Sequence, residues 1–276
     1  MSYGLKPSLS REPNITVVIP CKDDVAVSAC IESIDAPAAA VVAFNGSTPQ
    51  FVAAVMGRHP TATHIVLPKA NLSLALEEGI KAAPTDNVLL MDSDCTFEPG
   101  SVQAFVDAMS AGDPSREVYK GRVMFRHGHD CLSQVIARSR QHHTAEQLTA
   151  YKPPLALSRL LASQLGGHIF NPALIWREDA DLDHRIRAAG IAIRSVGDGV
   201  IYHGPLTVRG DLRSTFRYGM GEAIADHLGL DLTDVPRSAR STLYSQGVLP
   251  AAYMLVRNRV YTAGYCFMRL CQWRAR

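Results

Sequence analysis

The sequence predicts an α/β protein: a mainly parallel sheet covered by helices on both faces, followed by a helical C-terminal extension. Two observations carry this expectation. Short β-branched or apolar runs alternate with helical patterns through the first 110 residues, the arrangement that builds parallel sheets from crossover units. The last of those runs, Asn87-Val88-Leu89-Leu90-Met91-Asp92-Ser93-Asp94, has four apolar residues in a row and reads as a strand buried on both faces.

In order, Ile15 to Pro20 is a β-branched strand stopped by proline, and Cys21 to Asp24 is a polar loop. A helical pattern through Ala29, Ile31 and Ile34 leads to a second strand, Ala39 to Phe44, broken at Asn45-Gly46-Ser47. Phe51, Val52 and Val55 mark the next helix, and His64 to Leu67 the third strand. Leu72, Leu74, Leu76, Ile80 and Ala83 give a helix ended by Pro84. The strand Val88 to Met91 follows, then a helix through Val102, Phe105, Val106 and Met109. Beyond it, Val118 to Phe125 alternates as an antiparallel or edge strand would. Cys131 to Tyr151 and Leu155 to Leu165 read as helices separated by Lys152-Pro153-Pro154, and Gly166-Gly167 opens a turn before Ile169 to Trp176. Asp179 to Ala189 is an amphipathic helix with Leu182, Ile186 and Ala189 on one face, ended by Gly190. Two short strands, Ile191–Val196 and Val200–His203, precede two helical stretches.

Composition narrows the function classes. A net charge of +2 and the lack of a basic arm interleaved with aromatics argue against nucleic acid. The six cysteines are scattered without a C-x-x-C pair, so they read as reduced thiols of a cytoplasmic protein. Met1 to Asn14 lacks the apolar stretch of a leader peptide, and no apolar run is long enough to span a bilayer, which takes about 18 residues or more.

Chemistry concentrates at Asp92 and Asp94. In an extended chain residues i and i+2 point the same way, about 6–7 Å apart. Just past the carboxyl end of a central strand, two hard oxygen donors suit a divalent cation bound to a phosphate-bearing ligand. An Asx turn or a helix cap would look the same in the tripeptide alone.

Five segments in order carry a resemblance: Val17-Val18-Ile19-Pro20, Asn45-Gly46-Ser47-Thr48, Met91-Asp92-Ser93-Asp94, Glu178-Asp179-x-Asp181-Leu182-x-x-Arg185-x-x-x-x-Gly190, and Tyr202-His203-Gly204-Pro205. Together they resemble the family-2 glycosyltransferases of GT-A, Rossmann-like fold, inverting enzymes that use nucleotide-sugar donors. The resemblance covers residues 14–222 and implies one domain over 1–230, with a donor half at 14–110, an acceptor half at 118–222, and an extension at 231–276. It implies that Asp94 binds Mn²⁺ or Mg²⁺, with Asp92 on the ribose or the metal and His203 as a further metal or phosphate contact. Pro20, Lys22, Asp24, Asn45, Asn71, Asp92, Ser93 and Arg217 would lie on the donor. Asp179 would be the catalytic base, with Glu178 the second candidate; a helix N-terminus keeps such a carboxylate ionised, and an ordinary cap would sit there too. Asp181 and Asp183 would face solvent or pair with Arg185 and Arg187. Phe216 to Gly221 matches a further family segment, from which Arg213 or Arg217 could reach the diphosphate.

Three departures fall on the nucleobase side. Phe44 stands where the family commonly has an acid, Leu76-Glu77 where it often has Arg-Asn, and Cys21-Lys22-Asp23-Asp24 replaces an aromatic-Asn loop. A UDP-sugar is the default donor, with GDP- and dTDP-sugars as alternatives; the hydroxyl acceptor could be a glycan, a lipid-linked sugar or a small metabolite. Other readings are a sugar-1-phosphate nucleotidyltransferase, disfavoured by a first loop without glycine, and a non-catalytic nucleotide-sugar-binding protein. Arg126 to Asp130, with two histidines, reads as a loop, and His142-His143 as helix surface. Leu249 to Trp273 mixes aromatics, aliphatics and arginines; it could cap the core, form a homodimer contact, or lie on a membrane.

Overall fold

The computed structural model describes residues 14–141, 148–230, 232 and 239–274. Four parallel strands form one half of the sheet: β1 (Ile15–Cys21), β2 (Ala38–Asn45), β3 (Thr63–Leu67) and β4 (Asn87–Leu90). Helices α1 (Val27–Glu32), α2 (Pro49–Arg58) and α3 (Leu72–Lys81) make the crossovers. The other half adds β5 (Cys95–Phe97), α4 (Ser101–Ala111), β6 (Glu117–Phe125), α5 (Cys131–Arg140), β7 (Leu155–Ser158), α6 (Glu178–Ala188) and β8 (Ala192–His203). The eight strands lie in the order β3-β2-β1-β4-β7-β6-β8-β5. Helices α7 (Val208–His227), α8 (Ala239–Gln246) and α9 (Val248–Arg274) follow.

Period-2 alternation sorts the strand residues onto two apolar faces. Val17, Ile19, Leu89 and Met91 join Phe44, Phe105 and Met109 on one side, while Val18, Val88 and Leu90 join Leu76, Ile80, Leu182 and Ile186 on the other. That two-sided burial is why the first half reads so plainly from sequence.

The second half corrects several expectations. Leu155 to Leu165 is not a helix: Leu155–Ser158 is β7, antiparallel to β4 and β6, followed by a 3-10 turn at Arg159–Ser163. All four β7 residues are buried, and a fully buried strand has no alternation to distinguish it from a helix. Helix α5 ends at Arg140, well short of Tyr151, and His142-His143 lie outside the described residues. Val118 to Phe125 is an interior strand, parallel to β8 and antiparallel to β7. The two strands expected over 191–203 are one, with a bulge: pairing runs from Lys120↔Ser195 to Arg122↔Val200, so Gly197-Asp198-Gly199 is absorbed within β8 instead of ending it. Helix α6 buries Leu182 and Ile186, but Ala189 is exposed; Gly190 stops the helix at φ 69°. Three helices, not two, complete the described chain.

Strand direction fixes the site. β7 runs against β4 and β6 against β7, so β4, β6 and β8 all point the same way. The exits of β1, β2, β4 and β8 therefore share one sheet edge, where open α/β sheets bind ligands.

Candidate active site

Two carboxylates leave β4 on a turn, not on an extended tip: the Cys95 N–H donates to the Asp92 carbonyl at 3.2 Å. The extended-chain expectation for Asp92 and Asp94 is corrected accordingly, and each finds a different partner. The three-residue β5 pairs Cys95 with His203 of β8, which brings His203 Nε2 to 3.4 Å from Asp94 Oδ2. The imidazole is fixed by its Nδ1, 2.8 Å from the Gly204 carbonyl, and by stacking on Phe125 at 5.2 Å. The Asp94 side chain keeps 48% exposure; partial desolvation, with the charges of Asp92 and Asp24 added, holds its carboxyl above its usual range, while His203 opposes this. An excess of negative charge is what a bound cation relieves. Donor atoms of Asp94, Cys95 and His203 lie within 4.8 Å of one another, and a carboxylate with an imidazole fits Mn²⁺ or Mg²⁺. Cys95 is a neutral neighbour, because burial and Asp94 push its thiol far up and the thiol donates to Asp94 Oδ1 at 3.5 Å.

Asp92 turns to the other side, toward a residue that sequence reasoning missed. Lys152 Nζ lies 3.0 Å from Asp92 Oδ1 and 3.4 Å from Glu178 Oε1, with its side chain only 6% exposed. The register explains the contact: Leu155 of β7 pairs with Leu90 of β4, so the segment entering β7 lies beside the segment leaving β4. Burial opposes charge on Lys152, but Asp92, Glu178 and Asp179 together outweigh it and raise the ammonium above its ordinary value. A second lysine, Lys120 of β6, is buried nearby and donates to the carbonyls of Tyr151 at 2.6 Å and Pro153 at 3.0 Å. Burial pulls its ammonium down to about 8, against the attraction of Asp179 and Asp92. A lysine inside the buried run of β6, and another before a Pro-Pro pair, were the available signals.

Helix α6 supplies Glu178 and Asp179 in its first turn, with Arg185 and Arg187 in its last, so both ends complement the helix dipole. The residue before Glu178, Arg177, has φ 70°; the other non-glycine residue with positive φ among those described is Asp23, beside Asp24. Both unusual backbones adjoin candidate site residues. Burial, with Asp179 adding to it and Lys152 opposing it, pushes the Glu178 carboxyl up to about 7. Asp179 is half-buried and accepts the Ala180 N–H at 2.9 Å. Asp181 and Asp183 are buried, not solvated, and pair with Arg185 and Arg187 at 2.8 Å each.

The donor residues expected from sequence divide. Asp24 accepts from Ser93 Oγ at 2.7 Å, joining the first loop to the acidic turn, and Lys22 is exposed beside it. Pro20 is buried within β1. Asn45 Oδ1 accepts the Asn71 N–H at 2.5 Å; Asn71 Oδ1 caps α3 through the Leu74 N–H and its Nδ2 donates to Pro172. Arg217 is half-buried on α7. The loop at Arg126 to Asp130 is a loop, with Asp130 capping α5.

A mostly parallel sheet with a short strand after the acidic turn and a carboxylate-led helix beyond it has the architecture of a GT-A fold. Residues 16–159 match the sequence model of Glycosyl transferase family 2, and the chain belongs to that family. Among solved structures it is similar to a mannosyltransferase, PcManGT from Pyrobaculum calidifontis, in complex with GDP-Man and Mn²⁺. That likeness has a TM-score of 0.54 at 17% identity and covers 91% of this chain and 76% of the other. No curated protein matches in sequence.

Proposed function

We propose that the protein is a metal-dependent inverting glycosyltransferase, moving a sugar from a nucleotide-diphosphate donor to a hydroxyl acceptor. The observation that carries the reading is convergence on Lys152: Asp92 from the donor half and Glu178 from the acceptor half both lie against one ammonium, with Asp179 in electrostatic reach. The Mn²⁺ of the similar mannosyltransferase supports a divalent ion here.

With Asp92 turned away to Lys152, Asp94 and His203 would hold the ion. Bound there, it supplies Lewis-acid stabilisation of the departing diphosphate. Asp179 takes the proton of the acceptor hydroxyl as that oxygen attacks the anomeric carbon in line. Glu178 is the weaker candidate for the base, because it is buried against Lys152. Lys152 keeps three neighbouring carboxylates from repelling one another. Ser93 and Asp24 set the first loop against the donor, and Lys22, Asn45, Asn71 and Arg217 complete the proposed donor surface. UDP is retained as the default base, and the GDP-Man of the similar structure motivates GDP beside it. We place the catalytic domain at 1–230, the extension at 231–276, and the protein in the cytoplasm.

One observation favours a second reading, a non-catalytic nucleotide-sugar-binding protein: of the residues that depart from the family on the base side, Phe44, Leu76, Glu77 and Cys21 are buried. A thermal-shift panel of UDP, GDP and dTDP with and without Mn²⁺, followed by donor hydrolysis, separates the two. Binding with turnover is expected; binding without turnover selects the second reading. Asp94→Ala should abolish the Mn²⁺-dependent part of the shift, and equal shifts for parent and variant would overturn the metal assignment.

A further inference from the structure

Helix α9 has two apolar faces, and the fold uses only one. Ala251, Met254, Arg257 and Gly264 are buried, and α9 packs on α7 so closely that a Cβ on Gly264 would collide with the Phe216 carbonyl oxygen. Val248, Leu249, Leu255, Val256, Phe267 and Leu270 are exposed, at 48–70%. At about 100° per residue these six fall within roughly 120° of arc on the side away from the buried four. Exposed Arg259 lies at the middle of that arc. Twenty-seven helical residues make the face roughly 40 Å long. It continues onto α8 through Leu243 and Tyr244, and past Val248 and Leu249 into a cavity of about 250 Å³ shared with Cys131, Val135 and Arg138 of α5. An apolar surface of this extent marks an interaction site.

Charge decides the occupant. From Asp234 onward the chain contains seven arginines and no further carboxylate side chain; Arg240, Arg259 and Arg269 are exposed, while Arg257 is buried against Asp211. A second copy laid two-fold on this face would bring arginine toward arginine with no acid from either helix, which disfavours it. An anionic bilayer satisfies both halves of the surface, burying the aliphatic and aromatic side chains while the arginines meet phosphate headgroups. No helix among the described residues is long and apolar enough to cross a membrane, so the geometry suits a helix lying on one.

We infer that the outward face of α9, with α8, docks on an anionic lipid bilayer. The orientation follows from a chain of contacts: Tyr261 of α9 donates to Glu222 at 3.0 Å, and Glu222 accepts from Arg177 at 2.8 Å. Arg177 immediately precedes Glu178 and Asp179, so the docked helix braces the acceptor side of the site. The docking itself does not depend on the catalytic reading.

The test is co-sedimentation of the full chain with vesicles of phosphatidylcholine alone, or mixed equally with phosphatidylglycerol. Binding to the mixed vesicles at least about tenfold tighter than to neutral ones, and weakening as salt rises, is expected. Leu255→Glu, Leu270→Glu and Arg259→Glu change exposed side chains, so the fold should survive, and each should weaken binding about tenfold or more; Phe267 is kept because its ring also packs on Phe216 of α7. Arg116→Glu, at the amino end of β6, should leave it unchanged. Failure to bind either vesicle, equal loss with Arg116→Glu, or a dimer that Leu255→Glu dissociates without any lipid binding would overturn the inference.

Discussion

The two ends of the proposed donor cleft use polar residues in opposite ways. On the phosphate side, Asp92, Asp94, Glu178 and Asp179 are crowded together, held by one buried lysine and one histidine, and desolvation shifts Asp94 and Glu178 upward. On the base side the residues are spent on the fold. Phe44 is fully buried, stacked on His64 at 5.9 Å, and the Glu77 carboxylate accepts the N–H groups of Ile169 and Phe170 at 3.1 and 3.0 Å. Asp23 takes the Thr48 N–H and hydroxyl. Charge left in mutual tension is available for chemistry; charge already satisfied by backbone donors is architecture. Glu77 and Asp23, two of the residues that depart from the family, are engaged in holding loops.

The comparison breaks most visibly at Asp179. Asp179→Asn should lower transfer by about 10³-fold or more while donor affinity, measured by calorimetry, stays within a few-fold. Transfer at parental rates would place the base elsewhere. Lys152→Met comes next: removing one partner of a buried ion cluster costs about 3–5 kcal/mol, read by urea unfolding. Adding Glu178→Gln to that variant should recover part of the loss. A single variant as stable as its parent would mean that the carboxylates are not strained against each other.

Lys120 gives a signature in pH. Its ammonium is depressed to about 8, from 10.5. Between those values the unfolded chain holds a proton that the folded chain has released, so the Lys120 contribution to stability rises with pH across that window and is level below it, while the buried thiols of Cys21, Cys30 and Cys95, pushed up by burial, contribute in the opposite direction. In paired urea melts the stability of the parent minus that of Lys120→Met should rise with pH across the window; a difference independent of pH would overturn the assignment.

Much of this arrangement was legible in sequence, and the illegible part has one cause. The strands of the first half alternate between two apolar faces and are punctuated by Pro20, Asn45-Gly46 and Pro68, so their exits could be placed without a structure. Asp94, His203, Asp92 and Glu178–Asp179 all appear at the edge those exits define. What sequence hid was β7. Leu155-Ala156-Leu157-Ser158 has no alternation because both its faces are buried, and once read as a helix it left Lys152 in an anonymous break. Antiparallel pairing to β4 brings that break beside Asp92 and Glu178. Asp92 and Asp94 were found for a partly mistaken reason, since the turn at Cys95, not an extended tip, sends them to different partners.

Glu77 offers the finest test of the division between the two ends. Its carboxylate is buried at 5% exposure and receives two backbone N–H groups from the loop that leads to α6. Glu77→Gln keeps the shape and one acceptor oxygen but weakens charge-assisted bonds, so a stability loss of about 1–2 kcal/mol is expected. Because Glu77 sits where the family resemblance would put a base contact, a residue recognising the nucleobase would change donor preference instead. The architectural assignment requires that UDP and GDP affinities shift together, if at all. A variant with parental stability and a changed ratio between the two nucleotides would move Glu77 from the loop's anchor to the donor's pocket.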